Sequence, residues 1–299
     1  MNLSIIKLYI KKSYIARFGA KVYNKNIIPR EAIFLKKLGF IGTGNMGGAL
    51  ILAAAKSNSK NELLLSDKIC EKADALAEKT GGKVCGNVTV AAEADYIFLG
   101  VKPQMLKDTM EEIIPVLKKR TDRFVLVSML AAFTCERICE NAGGNYPVIR
   151  IMPNTPAAIG EGMILYAPNG EVSEEEVSFF LGSMKEAGRF SLLPEKLMDA
   201  GASVAGCGPA FVDLFVEALA DGGVACGLPR AQAVEFAAQM VLGSAKLILE
   251  SKKHPGQLKD EVCSPGGTTI QGVRALEKGG FRSAVTEAVI AAYEKNFDL

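Results

Sequence analysis

At 299 residues, 49% of them hydrophobic and 23% charged, the chain is long enough for two domains and too apolar for a disordered polymer. The net charge is only +2, and no run approaches the roughly 18–20 consecutive apolar residues of a membrane span, so a soluble, cytoplasmic protein is expected. A single histidine, His254, speaks against histidine-based triads and against metal catalysis; beside Pro255 it reads as a loop or cap residue. Seven cysteines without paired spacing read as reduced thiols, with Cys135 and Cys139 on one helical face as core filling.

Residues 1–34 hold seven basic side chains against Glu31 alone, a net of +6 that leaves −4 for the rest of the chain. The mildly acidic body argues against nucleic-acid binding, which needs a basic face on the folded domain. The basic leader is acid-poor, as transit peptides are. The favoured reading is instead that translation starts at Leu35 through a non-standard start codon, which sets the start flush against the first strand and leaves 1–34 not native or disordered. A chain begun there is expected to fold and work normally.

From Leu38 the pattern "GFIGTGNMGGAL" reads as a buried strand, a turn, and a helix from about Met46. In such a G-x-G-x-x-G loop Gly42 permits the tight turn, Gly44 lets the backbone approach a pyrophosphate, and Gly47 allows close helix packing. The helix N-terminus then holds the phosphates. The next strand, "ELLLSD", ends on Asp67, where an acid accepts from ribose hydroxyls and repels a 2′-phosphate; this favours NADH over NADPH, although Lys68 offsets the repulsion. Strand and helix alternate through "ADYIFLGVKP", "RFVLVSML" and "YPVIRIMP", the mark of a doubly wound α/β sheet. Loops at the carboxyl ends of these strands, Gly100 to Gln104 with Lys102, Ser128 to Ala131, and Met152 to Pro156, are expected to line the cofactor crevice.

After about Pro194 the pattern is helical alone, which divides the chain into a Rossmann domain at 35–196 and a helical domain at 197–299. "PAFVDLFVEALADGGVACG" forms one helix, Leu228-Pro229 opens a long second, and a last helix runs to about Asn296. These helices are Ala- and Gly-rich and apolar on more than one face, so an intertwined homodimer is expected.

"GFIGTGNMGGAL", "VKPQ", "RIMPNTPA", "GCGPAF", "ALADGGVACGLPR", "HPGQLKDEVCSPGGTTI" and "GGFRSAV" together resemble pyrroline-5-carboxylate reductase, from Lys37 to the end of the chain. The resemblance implies an N-terminal Rossmann domain, a helical dimerisation domain, and reduction of 1-pyrroline-5-carboxylate to L-proline by NAD(P)H. It marks Gly42, Thr43, Gly44, Asn45, Met46, Asn87, Gly100, Val101, Lys102, Pro103, Leu130 and Ala131 as cofactor contacts, and Gly267, Thr268 and Thr269 as the substrate site. It also implies a homodimer that can build a larger homo-oligomer. The chain departs from the family pattern at Cys207 and Phe211, at Asp67, where phosphate-binding members tend to carry Ser or Asn, and at Ala131-Ala132-Phe133, where many members read Ala-Ala-Gly.

The substrate chemistry suits the second glycine loop. Free backbone N–H groups at a helix start fit the carboxylate, and the Thr269 hydroxyl can meet the ring nitrogen as the catalytic group. Helix capping is the competing role for Thr268 and Thr269. Two other functions share the first loop. One is a related imine or hydroxyacid reductase, with Lys246 as its acid-base residue; the other is a dinucleotide-binding regulator without catalysis.

Overall fold

The computed structural model describes residues 22–23, 35–57 and 60–298. They form two compact units, one reaching Gly206 and taking in the chain end from Asn296, the other Cys207–Lys295.

The first unit is built on a nine-stranded sheet: β1 (Val22–Tyr23), β2 (Lys37–Ile41), β3 (Glu62–Ser66), β4 (Lys83–Val84), β5 (Tyr96–Leu99), β6 (Val125–Ser128), β7 (Val148–Met152), β8 (Gly162–Pro168) and β9 (Gly188–Leu192), in the order β1-β9-β8-β7-β6-β5-β2-β3-β4. From β7 to β4 all pairs are parallel, and this is the doubly wound order with its switch point between β2 and β5. β8 then runs antiparallel to β7, with β9 parallel to β8.

Alternation decides which residues meet which helices. Leu38 and Phe40 of β2 and Tyr96 and Phe98 of β5 point to one face, where they meet helix α1 (Asn45–Ser57) and α6 (Glu174–Ser183). Ile41, Ile97 and Leu99 point to the other, against α3 (Asn87–Glu93), α4 (Leu106–Leu117) and α5 (Cys135–Ala142). Phe40 and Phe98 are paired in register and stack at 4.3 Å, a cross-strand aromatic pair at the sheet's centre. Helix α2 (Cys70–Thr80) joins the first face through Ala73. Cys135 and Cys139 both belong to the second core, as core filling, and burial pushes the Cys135 thiol well up from its ordinary value.

Two expectations change here. The leader was expected to end before the first strand; Val22–Tyr23 instead pairs antiparallel with Ser191 and Phe190 of β9, while the rest of 1–34 lies outside the described residues. The domain boundary also moves, from 196 to 206, because helix α7 (Met198–Ala205) belongs with the sheet: Met198 is fully buried in a small core with Leu165 and Ala167 of β8.

The brace for α7 is electrostatic as well as apolar. Arg150 of β7 is 1% exposed, its guanidinium bonded to Asp199 at 2.6 Å with Glu195 at 4.0 Å, while its Nε has no hydrogen-bond partner among the described residues. Removing the Asp199 carboxylate strands a buried cation, which is more costly than losing a surface ion pair.

The second unit comprises α8 (Gly208–Ala225), α9 (Arg230–Ser251), α10 (Pro255–Val262), α11 (Thr268–Lys278) and α12 (Phe281–Lys295). α8 and α9 form a hairpin closed by an Arg230–Asp221 pair at 2.6 Å. Its only fully buried apolar side chains are those of Ala220, Ala233 and Ala237, whereas Leu214, Phe236, Leu242 and Leu249 are more than half exposed. By length and mean composition alone Glu195–Ala225 is long and apolar enough to cross a membrane, although charged residues interrupt any run of 18 consecutive apolar ones.

Asp199→Ala should cost the first unit about 3 kcal/mol, read as a lower urea midpoint followed by circular dichroism. A loss below about 1 kcal/mol would show that the pair behaves like a solvent-exposed one.

Candidate functional site

The end of β2 brings three backbones together. Gly42 has φ +102°, a conformation that glycine adopts without strain, and its N–H donates to the Ser66 carbonyl at 2.8 Å. A Cβ on Gly42 would lie 2.6 Å from the Gly100 carbonyl, and a Cβ on Gly47 would lie 2.2 Å from the Gly42 oxygen. The roles expected of these two glycines, turn and close packing, are therefore visible as contacts. Gly44 differs: nothing lies within 4 Å of where its Cβ would stand. That open side is what a pyrophosphate needs to approach the loop backbone. Asn45, Met46 and Gly47 make the first turn of α1, which contains no acidic residue, so the positive end of the helix is left for an anion. A dinucleotide fits this cradle.

Asp67, just past β3, turns back into the loop. Its Oδ2 accepts from the Thr43 N–H at 2.7 Å and from the Thr43 hydroxyl at 2.8 Å, and its Oδ1 accepts from the Ile69 N–H at 2.9 Å. Burial pushes the carboxyl up, but the donors from Ile69 and Thr43 and the Lys72 charge outweigh it, holding Asp67 below the usual carboxylate range. Asn87 opens α3 with both ends occupied: its Oδ1 accepts from the Ser66 hydroxyl and its Nδ2 donates to Glu112, each at 2.7 Å.

Gly100 to Pro103 follow β5 directly, with the Gly100 N–H donating to the Ile41 carbonyl at 2.8 Å and the Lys102 side chain exposed. After β6, Leu130 is 1% exposed and packs in the second core, so only its backbone can serve a ligand; Ala131 is half-buried. Next to Phe133, where many family members carry glycine, Ala132 takes φ +60°, left-handed backbone where an L-residue is strained. Asn154, in the loop expected to line the crevice, is spent on structure: it donates to the Ala205 carbonyl and accepts from the Met163 N–H, both at 2.9 Å. Sequence reasoning missed Ser66 and Glu112 as the groups that orient Asn87, and their spacing from Asn87 carries no signal for it.

In the second unit Gly267 is the N-cap of α11, and no side chain caps that helix. Thr268 and Thr269 occupy its first two positions, exposed, with hydroxyls that make no hydrogen bond among the described residues. A Cβ on Gly267 would meet the Ser264 hydroxyl at 2.2 Å, so the turn is tight. His254 caps α10, its Nδ1 accepting from the Gly256 N–H at 3.1 Å, as its place beside Pro255 suggested. Lys246 is exposed on α9 and faces Glu250 at 3.7 Å. The structure thus brings the expected dinucleotide residues together at one end of the sheet. Gly267, Thr268 and Thr269 gather at a helix start in the other unit.

These features define a dinucleotide-binding oxidoreductase with a Rossmann domain and a helical second domain. Residues 195–299 match the family model described as pyrroline-5-carboxylate reductase dimerisation, and 37–132 match that of NADP oxidoreductase, coenzyme F420-dependent. The pyrroline-5-carboxylate reductase of Escherichia coli (strain K12) is 40% identical over 264 residues, 87% of this chain and 97% of that protein. That of Glycine max is 40% identical over 91% of this chain and 98% of its own length. Among solved structures, the pyrroline carboxylate reductase of Plasmodium falciparum with NADP bound is similar at TM-score 0.78 and 32% identity, over 87% of this chain and 97% of that one. The 1-pyrroline-5-carboxylate reductase of Streptococcus pyogenes is similar at TM-score 0.80 and 31% identity, over 89% and 99%. The chain belongs to the pyrroline-5-carboxylate reductase family.

Two alanine substitutions separate the glycine roles. Gly44→Ala should fold with an unchanged melting temperature yet bind NADH and NADPH about tenfold or more weakly, a loss of ~1.4 kcal/mol or more. Gly47→Ala, which drives a Cβ into backbone, should lose about 1–3 kcal/mol of stability. Equal melting temperatures and equal affinities for both variants would contradict this division.

Proposed function

We propose that the chain holds NAD(P)H at the loop between β2 and α1, holds 1-pyrroline-5-carboxylate at the start of α11, and works as a homodimer in the cytoplasm. The reaction is reduction of this cyclic imine to L-proline, the last step of proline synthesis. When bound, NAD(P)H supplies the hydride.

The observation that carries the substrate assignment is the bare start of α11. The first N–H groups of a helix have no partner within it, and here no side chain caps them. They suit the substrate carboxylate, favoured there by the helix dipole. A capping role for the threonines has no support in the hydrogen bonding, which leaves both hydroxyls available to a ligand. Thr269 is the catalytic residue of this reading. Its hydroxyl can donate to the neutral imine nitrogen or accept from the protonated one, and so hold the ring with its carbon toward the hydride donor. The rest is proximity and orientation, because a protonated imine needs little further activation to accept hydride. Gly267 and Thr268 complete the substrate site, and Gly42 to Gly47, Asp67, Asn87, Gly100 to Pro103, Leu130 and Ala131 form the cofactor site.

The homodimer rests on apolar side chains the single chain leaves in solvent. Leu214, Phe236, Leu242 and Leu249 are large apolar side chains that the single chain leaves more than half exposed, and a second copy can cover them. The same pairing accounts for the apolar stretch Glu195–Ala225, whose residues lie in the region matched by the family's dimerisation model.

Purified protein given 1-pyrroline-5-carboxylate and each nicotinamide cofactor in turn should oxidise the cofactor and form L-proline; no oxidation with either would overturn the reading. Thr269→Val keeps the shape and removes the hydroxyl. It should lower kcat/KM by roughly 10- to 150-fold, the worth of a hydrogen bond to a charged group, while cofactor affinity and melting temperature hold. A fully active Thr269→Val enzyme would leave only the backbone of the loop as the substrate site.

A further inference from the structure

We infer that Asp67 is a positioning residue for the dinucleotide loop, fixing its shape through Thr43, in addition to any part it plays in choosing between NADH and NADPH. The inference rests on the proposal that a dinucleotide sits in this loop.

The sequence assigns Asp67 a single task, meeting the ribose and repelling a 2′-phosphate. The geometry gives it another. One carboxylate oxygen takes two hydrogen bonds from Thr43, backbone and hydroxyl, and the other closes the turn onto Ile69. Thr43 stands between Gly42, which is packed against Gly100 and Gly47, and Gly44, which has nothing within 4 Å of where its Cβ would stand. It is 4% exposed. A buried hydroxyl needs a partner, and Asp67 is the group that supplies one, from the end of the adjacent strand. Bonds with a charged acceptor are the stronger kind. The Asp67–Thr43 pair thus ties the loop after β2 to the end of β3. It fixes the Thr43 N–H toward Asp67, away from a ligand, and holds the loop backbone in the form the phosphates meet.

This differs from a charge gate in what substitution does. If Asp67 acted through repulsion alone, Asp67→Ser would spare NADH and improve NADPH. As a brace, its loss loosens the loop for both.

The test reads binding and the free protein separately. Amide hydrogen exchange at Thr43 is measured without cofactor, and the Kd of NADH and of NADPH by fluorescence titration, for wild type, Asp67→Ser, Asp67→Asn, Thr43→Val and Thr43→Ser. Expected are exchange at least roughly tenfold faster at residue 43 in Asp67→Ser, with Kd about tenfold higher for both cofactors. Thr43→Val should weaken both cofactors by similar factors, and Thr43→Ser, which keeps the hydroxyl, should restore them. Asp67→Asn, which keeps one acceptor, should fall between. Unchanged exchange at residue 43 in Asp67→Ser, or Thr43→Val binding both cofactors as wild type does, would overturn the brace. Wild-type protein that binds neither cofactor would instead overturn the cofactor assignment, with the exchange data still deciding whether Asp67 shapes the loop.

Discussion

The nucleotide end of the sheet depends on backbone meeting backbone at one point. The Gly42 carbonyl sits against α1 at Gly47 and against Gly100 at the end of β5, with no room for a side chain at either contact. Only with these three positions reduced to glycine can β2, β5 and α1 converge, and that convergence creates the switch point where a doubly wound sheet takes its ligand. The cores on both faces serve this junction. Phe40 stacked on Phe98 fixes β2 against β5 two residues before the crossing.

From there the fold spends polar groups to hold shape. Thr43 is tied to Asp67, Asn87 to Ser66 and Glu112, Asn154 to Ala205 and Met163, and Arg150 to Asp199. Each links a loop or strand end to another element. The second unit is built the opposite way: α11 begins without a cap and its threonines are unpaired. The glycine loop after β2 is thus braced by its neighbours, whereas the start of α11 is left bare.

Much of this was legible in the sequence. Strands β2, β3, β5, β6 and β7 each end at a turn signal and are followed by helical or loop periodicity, so the parallel part of the sheet could be read directly. β8 and β9 were not read, because β8 returns antiparallel to β7 without a crossover helix and the alternation of strand and helix gives no cue for it. α7 was not singled out as a helix, and its segment was placed with the helical domain because nothing local in it shows that its partner is β8. At the site, glycine spacing carried the cradle and the family resemblance carried Thr269. The second role of Asp67 was hidden, since one carboxylate at a strand end looks the same whether it meets a ribose or its own loop. The positive φ of Ala132 had no signal at that residue, since the departure from the family's glycine falls one position on, at Phe133.

The central claim, that two helix starts each hold one reactant, is tested most directly by a crystal structure of the protein with L-proline and oxidised cofactor. The account predicts the proline carboxylate within hydrogen-bonding distance of the backbone N–H groups at Thr268 and Thr269, the ring nitrogen at the Thr269 hydroxyl, and the pyrophosphate over Gly44 to Met46. A proline carboxylate held elsewhere, with the start of α11 bare, would contradict it.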